Sequence, residues 1–187
     1  MASIFTHLYI GKRFIEQDKR RQPSPQFYLG CTLPDSVNAH GFAERDARWA
    51  AHLRSADIQE WYDNNRRFYR QHTGTVDENL LLGFVLHNVT DAALDEYLLG
   101  NPQHRIYKNC SPPLDGWWLD EVVPALRQAV PDTLNGLALE NVLRSIDYWL
   151  YEEQPLTPEG SGLVEYASMV EALFRTVYRV VSSFLAP

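Results

Sequence analysis

The sequence predicts an all-α protein, a single-domain helical bundle of six or seven helices, and three observations lead there. Apolar residues recur at helical spacing over long segments, most clearly Leu80 to Tyr97, Leu137 to Glu153 and Leu163 to Leu185. The polar stretches between them carry helix start and stop signals: Asp57 with Glu60, Thr75 with Glu78, and Gly100-Asn101-Pro102. No segment alternates convincingly enough to propose paired strands, and there is no internal repeat or low-complexity tract. With 187 residues, 45% of them hydrophobic and 22% charged, the chain can bury a substantial core, so residues 1–187 read as one domain.

Taken in order, Ile4, Leu8, Phe14 and Ile15 place a first helix from Ser3 to about Gln17, with His7 on its inward side. Gly11, one turn later, would let another helix backbone approach that imidazole. Asp18 to Pro25 is polar and basic, a loop. The run FYLGCTLPDSVNAH, Phe27 to His40, is too short and too broken for a long helix and sets Asp35 on a turn, where a capping role is the ordinary reading. His40 by itself reads as a surface or hydrogen-bond-satisfied histidine. A helix opens at Asp57 and runs to about Gln71, where Thr73-Gly74 stops it; the central helix follows from Thr75-x-x-Glu78 to Gly100. Asn101 to Asp115, with Pro102, Pro112 and Pro113, is an irregular connection carrying His104. Residues 116–186 complete the bundle: Gly116 to Val130, kinked or divided at Pro124, then Leu137 to Glu153 and Leu163 to Leu185 around the loop QPLTPEGSG.

Charge and composition narrow the function. A net charge of −7, with Lys19-Arg20-Arg21 the only dense basic run, argues against a binder of nucleic acid duplexes. The start MASIFTHLYIGKRF has no apolar segment of signal-peptide length, and Cys31 and Cys110 stand far apart. The late apolar segment is broken by Glu165, Glu171, Arg175 and Arg179, so no membrane span is expected, and the compartment expected is the cytoplasm.

The chemistry centres on His87 and Asp91. One helical turn apart, they share a face with Leu80, Phe84, Leu94 and Leu98, a stripe that points into a core. A carboxylate there is costly unless paired, so His-x-x-x-Asp reads either as half of a metal site or as a buried hydrogen-bonded pair that only stabilises the core. His7, Asp35, His40, His87 and Asp91 together come from three separated segments, and the mix suits Zn²⁺, with Mn²⁺ or Fe²⁺ as alternatives. Asp95, a turn beyond Asp91, can orient a histidine from behind or simply face solvent. Trp117, Trp118, Tyr148, Trp149 and Tyr151 stand at helical spacing and read mostly as core; His72 and His104 read as ordinary.

The ordered set Thr6-His7-Leu8, Gly30-x-x-x-Pro34-Asp35, a nearby histidine, and Leu82-Gly83-Phe84-x-x-His87-x-x-x-Asp91 resembles the bacterial zinc-dependent phospholipase C family, which belongs with the P1-type nucleases. The resemblance covers about residues 3–98. It implies a helical fold and a cluster of up to three zinc ions that activates water to cleave a phosphate ester. It further implies that Asp35, His40 and His87 hold one metal, that Asp91 bridges to a second, and that His7 helps bind the second. His52 is a substitute for His40, because the gap from Asp35 to His40 is short for the family. Family members start with a metal-binding tryptophan, where this chain has Met1-Ala2-Ser3, and take a third metal on a later His-x-x-x-Glu pair, where this chain has His104 and Lys108. The expected activity is a metal-dependent hydrolase of a small phosphorylated substrate, with Asp35 or Asp91 accepting a hydrogen bond from the attacking water. The alternative is a non-catalytic protein of the same fold that holds at most one metal and binds a ligand or partner. An HD-type phosphohydrolase is the weaker reading, since Asn88 follows His87 where an aspartate is required.

Overall fold

A helix that is apolar on every side must be covered on every side, and one such helix organises this chain. Helix α5 (Glu78–Gly100) is buried without a break from Leu80 to Leu94. Asp77 starts it, its carboxylate accepting from the Asn79 and Leu80 N–H groups at 2.9 and 3.0 Å. Thr75, expected to cap this helix, instead donates its hydroxyl to the His72 carbonyl and closes the preceding one. The computed structural model describes residues 2–19, 21–39, 41, 43–112, 116–151 and 158–186, with the side chains of 147–151 excluded.

Around α5 lie α1 (Ile4–Gln17), α2 (Pro25–Thr32), α4 (Ile58–His72) and α8 (Ser161–Leu185). The fold is all-α, with eight α-helices among the described residues. Ser3 caps α1; Asp57 caps α4 by accepting from the Glu60 N–H at 2.8 Å, as the sequence predicts. Two short helices lie in segments the sequence leaves open. In α2, Ser24 caps and Pro25 occupies the first turn, where its missing N–H costs nothing. The second, α3 (Arg45–Ala51), sits among the charged residues before α4. Asp35 lies in a 3₁₀ turn, Pro34–Asn38, and a second 3₁₀ segment, Pro102–Tyr107, crosses the expected irregular connection. Pro124 does divide its segment: a π-helical turn, Trp118–Val122, precedes α6 (Val123–Gln128). Between α6 and α7 (Leu139–Tyr151) there is a two-residue hairpin the sequence analysis did not propose, β1 (Thr133–Leu134) against β2 (Leu137–Ala138). Its signal is Asn135-Gly136, with φ of 53° and 73°, the left-handed pair that a tight hairpin turn requires. Of the five aromatic residues read as core, Trp118 is buried and Trp117 half-buried; the side chains of Tyr148, Trp149 and Tyr151 lie outside the described residues.

The contact that places the functional residues is the crossing of α2 over α5. Gly30 and Gly83 face each other there. A Cβ on Gly30 would stand 2.2 Å from the Leu80 carbonyl oxygen, and one on Gly83 would stand 2.3 Å from that of Phe27. Only two glycines permit backbone to touch backbone in this way. Gly11 serves differently from the expectation: it faces the Phe27 ring and the Cys31 sulfur, not another helix backbone. No helix is long and apolar enough to cross a membrane among the described residues.

Candidate metal centre

Five side chains from four segments meet where α1, the Pro34–Asn38 turn, the end of α3 and α5 converge. His87 and Asp91 come from α5, His7 from α1, Asp35 from the turn and His52 from the residue that ends α3. His52 stands 3.3 Å from Asp35 Oδ1 and 3.7 Å from Asp91 Oδ2 through Nε2. His87 Nε2 lies 3.8 Å from Asp35 Oδ1, and His7 Nε2 lies 3.5 Å from Asp91 Oδ1. The His87 and His52 Nε2 atoms are 3.3 Å apart. Donors held 2.0–2.1 Å from a tetrahedral zinc lie about 3.3–3.4 Å from one another, so these separations suit a shared cation. Two donor sets result, His7 with His87 and Asp91, and Asp35 with His52 and His87.

Backbone carbonyls choose the tautomers. His87 Nδ1 is 2.8 Å from the Cys31 carbonyl oxygen, and His52 Nδ1 is 2.8 Å from that of Arg48. A carbonyl only accepts, so each Nδ1 carries its hydrogen and each Nε2 presents a lone pair to the cluster. Two lone pairs facing each other at 3.3 Å repel unless a proton or a cation sits between them. His7 adds a second unspent donor: its ring stacks on His87 at 3.6 Å, and neither of its buried nitrogens has a hydrogen-bond partner among the described residues. Asp91 is held from the other side by the Ala2 N–H at 2.6 Å, which ties the start of α1 to α5.

Burial and charge then set protonation. Burial pushes the His87 imidazole down to about 3, with His7 and His52 adding to the effect against the pull of Asp35 and Asp91. His7 is likewise lowered, burial outweighing Asp91 and Asp35. Burial also acts against a charged His52, but the hydrogen bond to Asp35 and the charge of Asp91 win and raise it above its ordinary value. For both carboxylates burial works upward and loses. Asp35 is held well below the usual range by His87, His52 and His7, and Asp91 by the amino terminus and the same imidazoles. Without a metal, two ionised carboxylates thus face imidazoles of which His7 and His87 are held neutral, so the cluster's side chains carry a net negative charge that a divalent cation would balance.

Of the residues singled out in the sequence, His7, Asp35, His87 and Asp91 meet in this cluster, and His52, the substitute for His40, joins them. His40 lies outside the described residues. Asp95 does not support a histidine: it pairs with Arg54 at 2.5 Å and Lys108 at 3.9 Å. His72 packs on Phe68, and His104 shares a hydrogen bond with the Tyr97 hydroxyl. What sequence reasoning missed is the support behind the imidazoles, the Cys31 and Arg48 carbonyls and the Gly30–Gly83 crossing. Gly30 and Gly83 stand in the motif, but only the fold shows that they face each other. Searches for a matching protein-family model, a similar curated protein and a similar solved structure all found none.

Proposed function

We propose that this protein is a metal-dependent hydrolase of phosphate esters, a divergent relative of the zinc-dependent phospholipase C and P1-type nuclease enzymes, with Zn²⁺ its preferred cation. The observation that carries the reading is the pair of imidazole Nε2 atoms brought to 3.3 Å of each other between two carboxylates in a buried site. His52, His87 and Asp35 hold the cation on one side, His7 and Asp91 on the other, with Asp91 able to offer an oxygen to each. A divalent cation so held would lower the pKa of a bound water from 15.7 toward about 7 and offset charge on the phosphoryl oxygens. Asp35, 12% exposed where the other four residues are at most 1% exposed, is the side from which substrate and water reach the cluster. It accepts a hydrogen bond from the attacking water and turns the lone pair of that water toward phosphorus. Asp91, anchored by the Ala2 N–H, keeps the donor atoms at fixed separation. The substrate is a small phosphorylated molecule, and the two free cysteines suit a reducing, cytoplasmic setting.

One observation favours the second reading, a non-catalytic protein that keeps a single structural metal: four of the five donors are closed off from solvent, as in metal sites that have no open position. Metal analysis of protein purified without chelator, followed by turnover of p-nitrophenyl phosphate and bis-p-nitrophenyl phosphate with added Zn²⁺ or Mn²⁺, separates the two. Turnover lost in folded His87→Ala and Asp91→Asn variants supports the hydrolase. Bound metal with no turnover of any phosphate ester supports the structural role.

A further inference from the structure

A cavity of about 350 Å³ includes none of the cluster's five residues, and its lining is rich in positive charge. Arg54, Arg105 and Lys108 face it, and Asp95 is the one acidic residue in its wall among the described residues. Asp95 is already engaged by Arg54 at 2.5 Å and by Lys108 at 3.9 Å, so at most one of the three positive charges is neutralised. In a chain with a net charge of −7, this hollow thus keeps a net positive charge. Arg54 is held for the purpose. Its guanidinium lies 4.6 Å over the Trp61 ring and 5.4 Å from that of Trp49, and its buried Nε has no hydrogen-bond partner among the described residues. A fixed planar fork with unspent N–H groups suits the tetrahedral oxygens of a phosphoryl group. Apart from Ser55, the remaining wall is apolar, with Ile58, Leu98 and Leu99, and Leu99 is 71% exposed.

We infer that this cavity binds a small phosphorylated molecule, its phosphoryl oxygens on Arg54, Arg105 and Lys108 and its organic part against Leu98 and Leu99. The site stands apart from the metal cluster and needs no metal. The two are nevertheless neighbours: Asp95 follows Asp91 by one turn of α5, and Arg54 follows His52 by two residues. A phosphorylated ligand bound here would sit at the border of the metal centre.

The test is calorimetric titration of chelator-treated, metal-free protein with pyrophosphate and with phenyl phosphate, and flotation with vesicles carrying phosphatidic acid. Both soluble ligands bind the parent chain, and the surface double variant Arg105→Ala/Lys108→Ala weakens both by about tenfold or more. Leu99→Ser weakens phenyl phosphate and spares pyrophosphate. Affinity equal in parent and double variant overturns the inference, as does binding to the vesicles alone, since the lipid surface would then be the ligand. His87→Ala, which removes a cluster donor, leaves anion binding intact; loss of binding in that variant would put the anion in the metal cluster and contradict the separate site. Metal content measured in the double variant keeps this result distinct from the fate of the hydrolase proposal.

Discussion

Replacing Gly83 with alanine sets two physical effects against each other. Inside a helix the change should help, since alanine exceeds glycine in helix propensity by about 1 kcal/mol. Packing opposes it. The new Cβ would sit 2.3 Å from the Phe27 carbonyl oxygen, 2.8 Å from the Cys31 nitrogen and 3.0 Å from the Gly30 carbonyl carbon, all backbone atoms that no rotamer change can move. Restoring ordinary contact forces α2 and α5 apart by about 1 Å. That shift stretches the bond from His87 Nδ1 to the Cys31 carbonyl, now 2.8 Å, beyond hydrogen-bonding range. Overpacking costs about 1–3 kcal/mol, and a buried imidazole N–H left without its acceptor about 1–3 kcal/mol more. Packing therefore wins, for a net loss of about 1–5 kcal/mol and a fall in Tm of roughly 2–20 °C for a chain of this size. Loss of the group that orients His87 should also weaken metal binding by about 10–100-fold. Thermal melting followed by circular dichroism, with a zinc titration of each protein, reads both. A Gly83→Ala protein with a Tm at or above that of the parent, and an unchanged zinc affinity, would refute the role given to the glycine crossing.

Other expectations bear on the same cluster and on the fold around it. Asp35→Asn should keep the fold, because Asp35 is the one cluster residue that reaches solvent, yet lower zinc affinity by about tenfold or more; calorimetric titration measures it. His7 and His87, both lowered in the folded protein, contribute stability that is present above the unfolded value of 6.5 and lost as pH falls toward about 3. His52 is raised, so its contribution is fully present below 6.5 and does not oppose that loss. Urea midpoints of metal-free protein should therefore fall steadily from pH 6.5 to 4; a flat profile contradicts the protonation states assigned here. Metal binding at pH 6.5 or below, where the raised His52 keeps its proton, should expel that proton, seen as a dependence of the binding enthalpy on buffer ionisation heat. Gly136→Ala, at a φ of 73°, should lower stability by about 1 kcal/mol without touching metal affinity.

Much of this architecture is legible in the residues alone because its signals are local. The unbroken apolar run of α5, the Asp57 cap and the Pro34-Asp35 turn each declare themselves within a few residues. The inward aim of His7, His87 and Asp91 follows from helical spacing. What is not legible depends on pairs far apart in sequence. That Gly30 meets Gly83, and that the Cys31 carbonyl therefore meets His87, is set by a crossing that no window of residues contains. His52 was only an alternative because it ends a short helix, α3, that its charged surroundings conceal. Asp77 caps α5 in place of Thr75: both residue types suit the role, and the Thr75 hydroxyl is engaged by the His72 carbonyl. The Asn135-Gly136 hairpin was there to be read, but strands of two residues leave no alternation to support the turn signal.

The claim on which the account rests is that His7, Asp35, His52, His87 and Asp91 converge to hold a divalent cation. The most direct measurement is the Tm of chelator-treated protein with and without Zn²⁺, in the parent chain and in His87→Ala. At zinc one hundred times above its dissociation constant, binding should stabilise the parent by about 2.7 kcal/mol, a rise of roughly 5–10 °C, and leave His87→Ala almost unmoved. A parent protein whose melting does not respond to Zn²⁺, Mn²⁺ or Fe²⁺, or a His87→Ala variant that responds equally, would contradict it.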